Sequence, residues 1–243
     1  MHIENESVDL WHGHRRHKFQ VDGHDAWIVE PETPAPGNPW SWCLEWPEAF
    51  VERCATLELL ARGFHHVHVN IFGTYASPEG IKVLDKFYQT LQGLRLAERA
   101  VLIGLSLGGL YSYRWASENP GKVAVIYADA PVCDFKAWPR GSSLWEKIKT
   151  AYGFTDEELT NYKGGPVDAL APLAANHIPL IHVVGLSDDV VPCSTNTDLL
   201  EERYKKLGGT IKVLRRPYVG HHPHGYDDQM QVVDFILKHC GQR

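Results

Sequence analysis

The sequence has no apolar run approaching the ~20 residues that a bilayer-spanning helix needs. Its first residues, Met-His-Ile-Glu-Asn-Glu-Ser, lack the basic and then apolar regions of a signal peptide. A membrane partner is therefore not expected, and cytoplasmic residence is. Basic charge is also short, with 24 Lys and Arg against 30 Asp and Glu, and the densest basic pairs are only Arg15-Arg16 and Arg215-Arg216. With no basic patch or stripe, nucleic acid is not an expected partner. The five cysteines (Cys43, Cys54, Cys133, Cys193, Cys240) are odd in number, widely spaced and without a Cys-x-x-Cys pair. They read as reduced thiols, neither a disulfide frame nor a zinc site. Internal repeats and low-complexity tracts are absent, and nothing in the chain marks a linker.

What is present is the material of one folded unit. Hydrophobic residues make up 44% and charged residues 22% of 243 positions, enough for a sizeable core, so a single domain over residues 1–243 is expected. Residues His17 to Val29 alternate around Asp22-Gly23, which predicts an opening β-hairpin. The proline-rich stretch Pro31 to Pro39 predicts a loop, followed by a short aromatic strand at Trp40 to Leu44 and a helix over Pro47 to Ala61. From there short apolar runs alternate with amphipathic ones: strand His66 to Ile71, helix Pro78 to Leu91, strand Ala100 to Ile103, helix Leu107 to Glu118 and strand Val123 to Tyr127. The series resumes with strand Leu180 to Val184, helix Thr195 to Leu207, strand Ile211 to Leu214 and a helix around Asp227 to Lys238. Such alternation predicts an α/β fold, a mostly parallel sheet with helices on both faces. Residues Pro131 to Leu173 interrupt it, with helix-like pieces at Ser143 to Ala151 and Thr155 to Tyr162. They read as a cap-like excursion over the C-terminal edge of the sheet, where long insertions shape binding sites.

The sharpest local pattern is Gly104-Leu105-Ser106-Leu107-Gly108, between an apolar strand and a helix. A Gly-x-Ser-x-Gly turn in that setting puts a serine on a strained elbow, with small residues letting strand and helix backbones approach. A serine hydroxyl is a poor nucleophile at neutral pH, so a base must take its proton and a further group must orient that base. Downstream, Gly185-Leu186-Ser187-Asp188-Asp189-Val190-Val191-Pro192 offers two carboxylates just past a strand, and Asp134 is a third candidate. Tyr218-Val219-Gly220-His221-His222-Pro223-His224-Gly225 offers three imidazoles between the last strand and the last helix. The histidines of that turn, and His65, His66 and His68, also invite a metal reading. The latter lie in a predicted buried strand whose alternate residues face opposite ways, and no nearby Glu or Cys completes a zinc spacing, so a structural origin is preferred.

Together the elbow, the acidic turn and the Gly-His turn resemble the α/β-hydrolase superfamily over most of the chain, in the order Ser, Asp, His. The resemblance implies Ser106 as nucleophile, Asp188 as the acid of a Gly-x-x-Asp-x-x-Val-Pro turn, and His221, directly after its glycine, as base. It also implies an oxyanion hole built from the Leu107 amide and a second donor after an early strand, placed at Cys43 or Leu44. No cofactor is implied. More narrowly, Tyr127 to Phe135 and Gly220 to Gly225 are similar to bacterial esterase-like hydrolases. Leu107 stands where those relatives often have arginine, and Leu44 to Pro47 replaces an aromatic-Gly-His stretch. The expected reaction is cleavage of a small-molecule or carbohydrate ester, with amide, thioester or peptide hydrolysis as alternatives, a lyase of the same fold less favoured, and a noncatalytic binding module as the reading from another class. Trp40, Trp42, Trp46, Tyr75 and Trp138 are candidates for an aromatic substrate pocket, each also able to serve the core.

Overall fold

Two left-handed dipeptides begin the chain's architecture. In the computed structural model, which describes residues 3–134, 136–137 and 142–241, His12-Gly13 (φ 48° and 83°) and Asp22-Gly23 (φ 54° and 82°) form tight turns. Positive φ at both central residues matches the twist of paired strands. They join β1 (Ser7–Trp11), β2 (His14–Val21) and β3 (His24–Val29) into an antiparallel meander. The expected hairpin is there, preceded by a strand that the sequence reading left out.

Among the described residues the sheet has nine strands in the order β1-β2-β3-β5-β4-β6-β7-β8-β9. Here β4 is Trp40–Cys43, β5 His65–Val69, β6 Ala100–Leu105, β7 Val123–Asp129, β8 Leu180–Gly185 and β9 Ile211–Arg216. The pairs β1/β2, β2/β3 and β3/β5 are antiparallel, and every pair from β5 to β9 is parallel. Strands β4 to β8 are buried at every position, which suits the unbroken apolar run of β6, while β5 buries His65, His66 and His68 among its five residues.

Alternation across the sheet sorts side chains into two cores. On β6, Ala100 and Leu102 join the larger core, while Val101, Ile103 and Leu105 join the other. The larger core packs under α2 (Pro78–Gly93), α3 (Leu107–Glu118) and α7 (Thr197–Lys206), and the smaller under α1 (Thr56–Ala61) and α8 (Met230–His239). The segment between β7 and β8 forms α4 (Ser143–Tyr152), α5 (Asp156–Asn161) and α6 (Ala171–Ala175). Trp145, Ile148, Tyr152 and Leu159 bury into the larger core, and the Tyr152 hydroxyl donates to the carbonyls of Tyr75 and Ala76 at 3.0 and 2.9 Å. No helix among the described residues is long and apolar enough to cross a membrane.

One expected element is corrected. The helix expected from Pro47 to Ala61 forms only at its end, as α1. Phe50 (φ 54°) and Ala55 (φ 64°) take left-handed conformations that interrupt a helix. Tertiary bonds hold this turn instead: the Arg53 guanidinium donates to the His224 carbonyl at 3.1 Å, and the Ala55 amide to the Gln229 side chain at 3.3 Å.

Candidate active site

Between β6 and α3, Ser106 has φ 50° and ψ −115°, a conformation that costs a non-glycine residue about 1–3 kcal/mol. The neighbouring chain holds it there. Its amide donates to the Asp129 carbonyl at 2.8 Å, and its carbonyl accepts from Val132 at 2.9 Å and Gly109 at 3.0 Å. Tight contact explains the flanking glycines: a Cβ on Gly104 would stand 2.6 Å from the Gly108 carbonyl oxygen.

Two loops at the same edge of the sheet bring the partners. His221 Nε2 lies 3.0 Å from Ser106 Oγ, and His221 Nδ1 lies 2.8 Å from Asp188 Oδ2. The other oxygen of Asp188 accepts the amides of Val190 and Val191 at 2.9 and 2.8 Å, which fixes the carboxylate. Burial pushes the pKa of Asp188 up, but the hydrogen bonds from His221 and from the Val191 and Val190 amides outweigh it and leave it below the usual value. Such a carboxylate holds the imidazole with its Nδ1 protonated and its Nε2 free to receive a proton.

The alternatives are placed elsewhere. Asp189 is exposed, and Asp134 accepts the Lys136 amide at 3.1 Å. His222 is exposed and stacks on Phe50, their ring centroids 5.9 Å apart. His224 is buried, its Nδ1 2.6 Å from Asp129 Oδ1, while Asp129 Oδ2 accepts the Gly225 amide at 2.9 Å and the Tyr127 hydroxyl at 3.0 Å. The sequence reading missed Asp129, although it closes a strand at the same sheet edge as the elbow. His65, His66 and His68 are buried in β5, and burial lowers the pKa of His66 to about 3 and of His68 to about 4.

The second oxyanion donor is corrected. The Leu44 amide donates to the Ile103 carbonyl at 3.3 Å, so it is already engaged. Alternation along a parallel strand turns the Cys43 amide the other way, toward β5 and into the sheet. The Cys43 thiol donates to the Glu45 carbonyl at 3.0 Å, and burial pushes its pKa up to about 12. The next residue fits instead. The Glu45 amide makes no hydrogen bond among the described residues, and a Cβ on Gly108 would lie 3.5 Å from its nitrogen. That contact seats Glu45 against the first turn of α3, whose leading amides, Leu107 among them, have no acceptor within the helix.

Trp42 is corrected as well. It is fully buried in the larger core, packed edge-on against Trp115 (4.9 Å) and Phe87 (5.4 Å), and Trp40, buried in the same core, borders only a cavity of about 230 Å³ that Phe64 and Cys240 also line and Ser106 does not. Trp46 is 42% exposed and meets Phe72 edge-on at 5.9 Å across a cleft of about 360 Å³ that Glu45, Trp27, Asp25 and Asn70 also line. Ser106 does not line this cleft, which adjoins the site through Glu45. Tyr75 is 8% exposed, and its amide donates to the Tyr111 hydroxyl at 2.8 Å. Trp138 lies outside the described residues.

Residues 59–243 match the prolyl oligopeptidase family. The chain belongs to that family. Its fold is that of the α/β-hydrolase superfamily, as the sequence reading expected. Among solved structures it is similar to a puromycin-hydrolyzing peptidase of Mycobacterium tuberculosis, with 16% identity and a TM-score of 0.70 over 96% of this chain and 40% of that one. It is similar to the acylaminoacyl peptidase of Pyrococcus horikoshii, with 14% identity and a TM-score of 0.63 over 90% and 38%. It is also similar to Est1E from Butyrivibrio proteoclasticus, with 15% identity and a TM-score of 0.63 over 92% and 98%. The chain thus spans about two fifths of these peptidases and nearly all of Est1E. At such identities the likeness carries the fold alone. No curated protein matches the sequence.

Proposed function

We propose that this chain hydrolyses a carboxylic ester of a small molecule or carbohydrate through an acyl-enzyme. The observation that carries the reading is the connected line of Ser106, His221 and Asp188, at 3.0 and 2.8 Å. Ser106 Oγ attacks the acyl carbon while His221 Nε2 takes its proton, and Asp188 steadies the imidazolium that forms. The amides of Leu107 and Glu45 receive the charge that develops on the carbonyl oxygen. His221 then returns its proton to the departing alkoxide, and water, activated by the same imidazole, releases the acid. Every step is a proton transfer or acyl transfer that these side chains supply without a cofactor.

An ester demands least of this arrangement, because an alkoxide leaves more readily than an amine. The aromatic walls at Trp46 and Phe72 suit an apolar or planar substituent. A second reading, cleavage of a peptide or other amide, is favoured by the family match and by the peptidases among the similar structures. The reduced cysteines suit a cytoplasmic enzyme, formed as one hydrolase domain with α4 to α6 leaning over the site.

The test is a panel of acetylated and methyl-esterified sugars, simple aryl esters, thioesters and aminoacyl or peptide amides, run on the native chain and on Ser106→Ala. Ester turnover is expected to fall by about 10⁴-fold or more in the variant. Activity unchanged by the substitution removes Ser106 as nucleophile, and turnover confined to the amides moves the assignment to the second reading. A folded native protein whose Ser106 ignores an organophosphonate is a binding module instead.

A further inference from the structure

We propose that His221, His222 and His224 form a site for a divalent transition metal, with Zn²⁺ as the fitting ion, and that the bound ion stops hydrolysis by taking His221 from Ser106. The inhibitory half rests on the function proposed above, whereas the binding half rests on geometry alone.

The three imidazoles come from one short turn between β9 and α8, and each offers a ligand nitrogen within 4.8 Å of the other two. Their ring centroids make a nearly equilateral triangle of 4.9, 5.0 and 4.9 Å, with every pair edge-on at 74° to 88°. Tetrahedral zinc at ~2.0–2.1 Å from each nitrogen needs its ligand atoms about 3.4 Å apart. The trio therefore has to contract by up to about 1.4 Å. His222 can supply its share of the movement, since it is exposed and its contacts among the described residues are those of its ring with Phe50, His221 and His224.

The other two ligands are already oriented. His221 Nδ1 is bonded to Asp188 at 2.8 Å and His224 Nδ1 to Asp129 at 2.6 Å. A carboxylate behind a ligating imidazole fixes the tautomer, presents the Nε2 lone pair and raises its basicity. Two such pairs also place two negative charges behind the site to offset the ion. Three imidazoles with an open fourth position suit Zn²⁺, and imidazole is likewise a good ligand for Co²⁺ as a spectroscopic probe. The consequence follows from one atom: His221 Nε2, 3.0 Å from Ser106 Oγ, cannot hold a metal ion and accept the serine proton together.

The experiment uses metal-stripped protein of residues 1–243 and its Ser106→Ala, His222→Ala and His222→Gln variants. Zn²⁺ binding is followed by calorimetry, Co²⁺ binding by visible absorption, and hydrolysis of an aryl acetate by release of the phenol, each variant being referred to its own metal-free rate. One Zn²⁺ per chain is expected, with four-coordinate d–d bands for Co²⁺ and inhibition that EDTA reverses. Both His222 variants are expected to weaken binding at least tenfold and to move the inhibition curve by the same factor, while Ser106→Ala still binds. No stoichiometric binding, or binding that both His222 variants leave intact, overturns the site. Hydrolysis that continues at saturating Zn²⁺ overturns the inhibition. A native chain that binds Zn²⁺ through His222 yet hydrolyses nothing supports the site and overturns the proposed function alone.

Discussion

Glu45 places a carboxyl group where water barely reaches it. The residue is 3% exposed, its carboxyl accepts no hydrogen bond among the described residues, and burial raises its pKa from 4.5 to about 7. The fold thus prefers the neutral acid. A group whose pKa is higher in the folded than in the unfolded chain adds stability that is complete below 4.5, declines between 4.5 and about 7, and is gone above it. The full span corresponds to about 3 kcal/mol. Glu45→Gln keeps the shape and removes the charge. In urea unfolding the variant is expected to match the native protein near pH 4 and to exceed it by up to about 3 kcal/mol at pH 8. A difference that does not change with pH would place the Glu45 carboxylate in water. The same residue marks a limit of sequence reading. An acid between Leu44 and Trp46 looks like a surface residue until the register of β4 against β6 engages the Leu44 amide and leaves the next one open.

At the scale of elements, the site depends on how closely the loop after β8 approaches the loop after β9. A Cβ on Gly185 would stand 2.2 Å from the Val219 carbonyl oxygen and 2.4 Å from that of Gly220, both backbone atoms that no rotamer change can move aside. Gly185→Ala must push away the turn that carries His221, while the Ser187 amide, 2.9 Å from the Val219 carbonyl, pulls it back. A displacement on the order of 1 Å can cost about 10²-fold in rate. The variant is expected to keep its far-ultraviolet circular dichroism and to lose about that factor in kcat/KM on the best ester of the panel. Full activity would show that the two loops can separate without moving His221. The elements that converge here were legible because short, mostly apolar or β-branched strands such as β6 alternate with longer helical stretches; α3 runs from Leu107 to Glu118, the bounds its pattern predicts. The Gly-x-Ser-x-Gly, Asp and Gly-His turns were legible because each follows a strand at one edge, and the structure brings Ser106, Asp188 and His221 within hydrogen-bonding distance there. Residues 47 to 55 were not, since their backbone is set by partners about 170 positions away, such as His224 and Gln229, which local propensity does not record. Trp40 and Trp42 misled for a related reason: an aromatic strand reads alike whether it faces a cleft or the sheet's own core.

At the scale of the whole molecule, the family match begins at residue 59, yet the sheet does not. Strand β4, residues 40–43, lies between β5 and β6 near the middle of the sheet, with three residue pairs to each neighbour. Without it β5 and β6 face a gap one strand wide, and β5 also loses its antiparallel partner β3. The larger core loses Trp40, Trp42 and Ile28, all fully buried. Truncating a buried tryptophan costs about 3–5 kcal/mol. Two of them therefore approach the entire stability of a domain, about 5–15 kcal/mol, before any backbone hydrogen bond is counted. A chain of residues 59–243 is accordingly expected to lack a cooperative unfolding transition and to leave Ser106 unlabelled by a phosphonate. The full chain should lose tryptophan fluorescence signal, circular dichroism and activity at one denaturant midpoint. A 59–243 fragment that folds cooperatively and labels at Ser106 would mean that β6 can close against β5 directly. The strands preceding the family match would then be an attachment to the rest of the sheet, when the strand order makes β4 the piece that joins β5, and the antiparallel strands beyond it, to β6 and the other parallel strands.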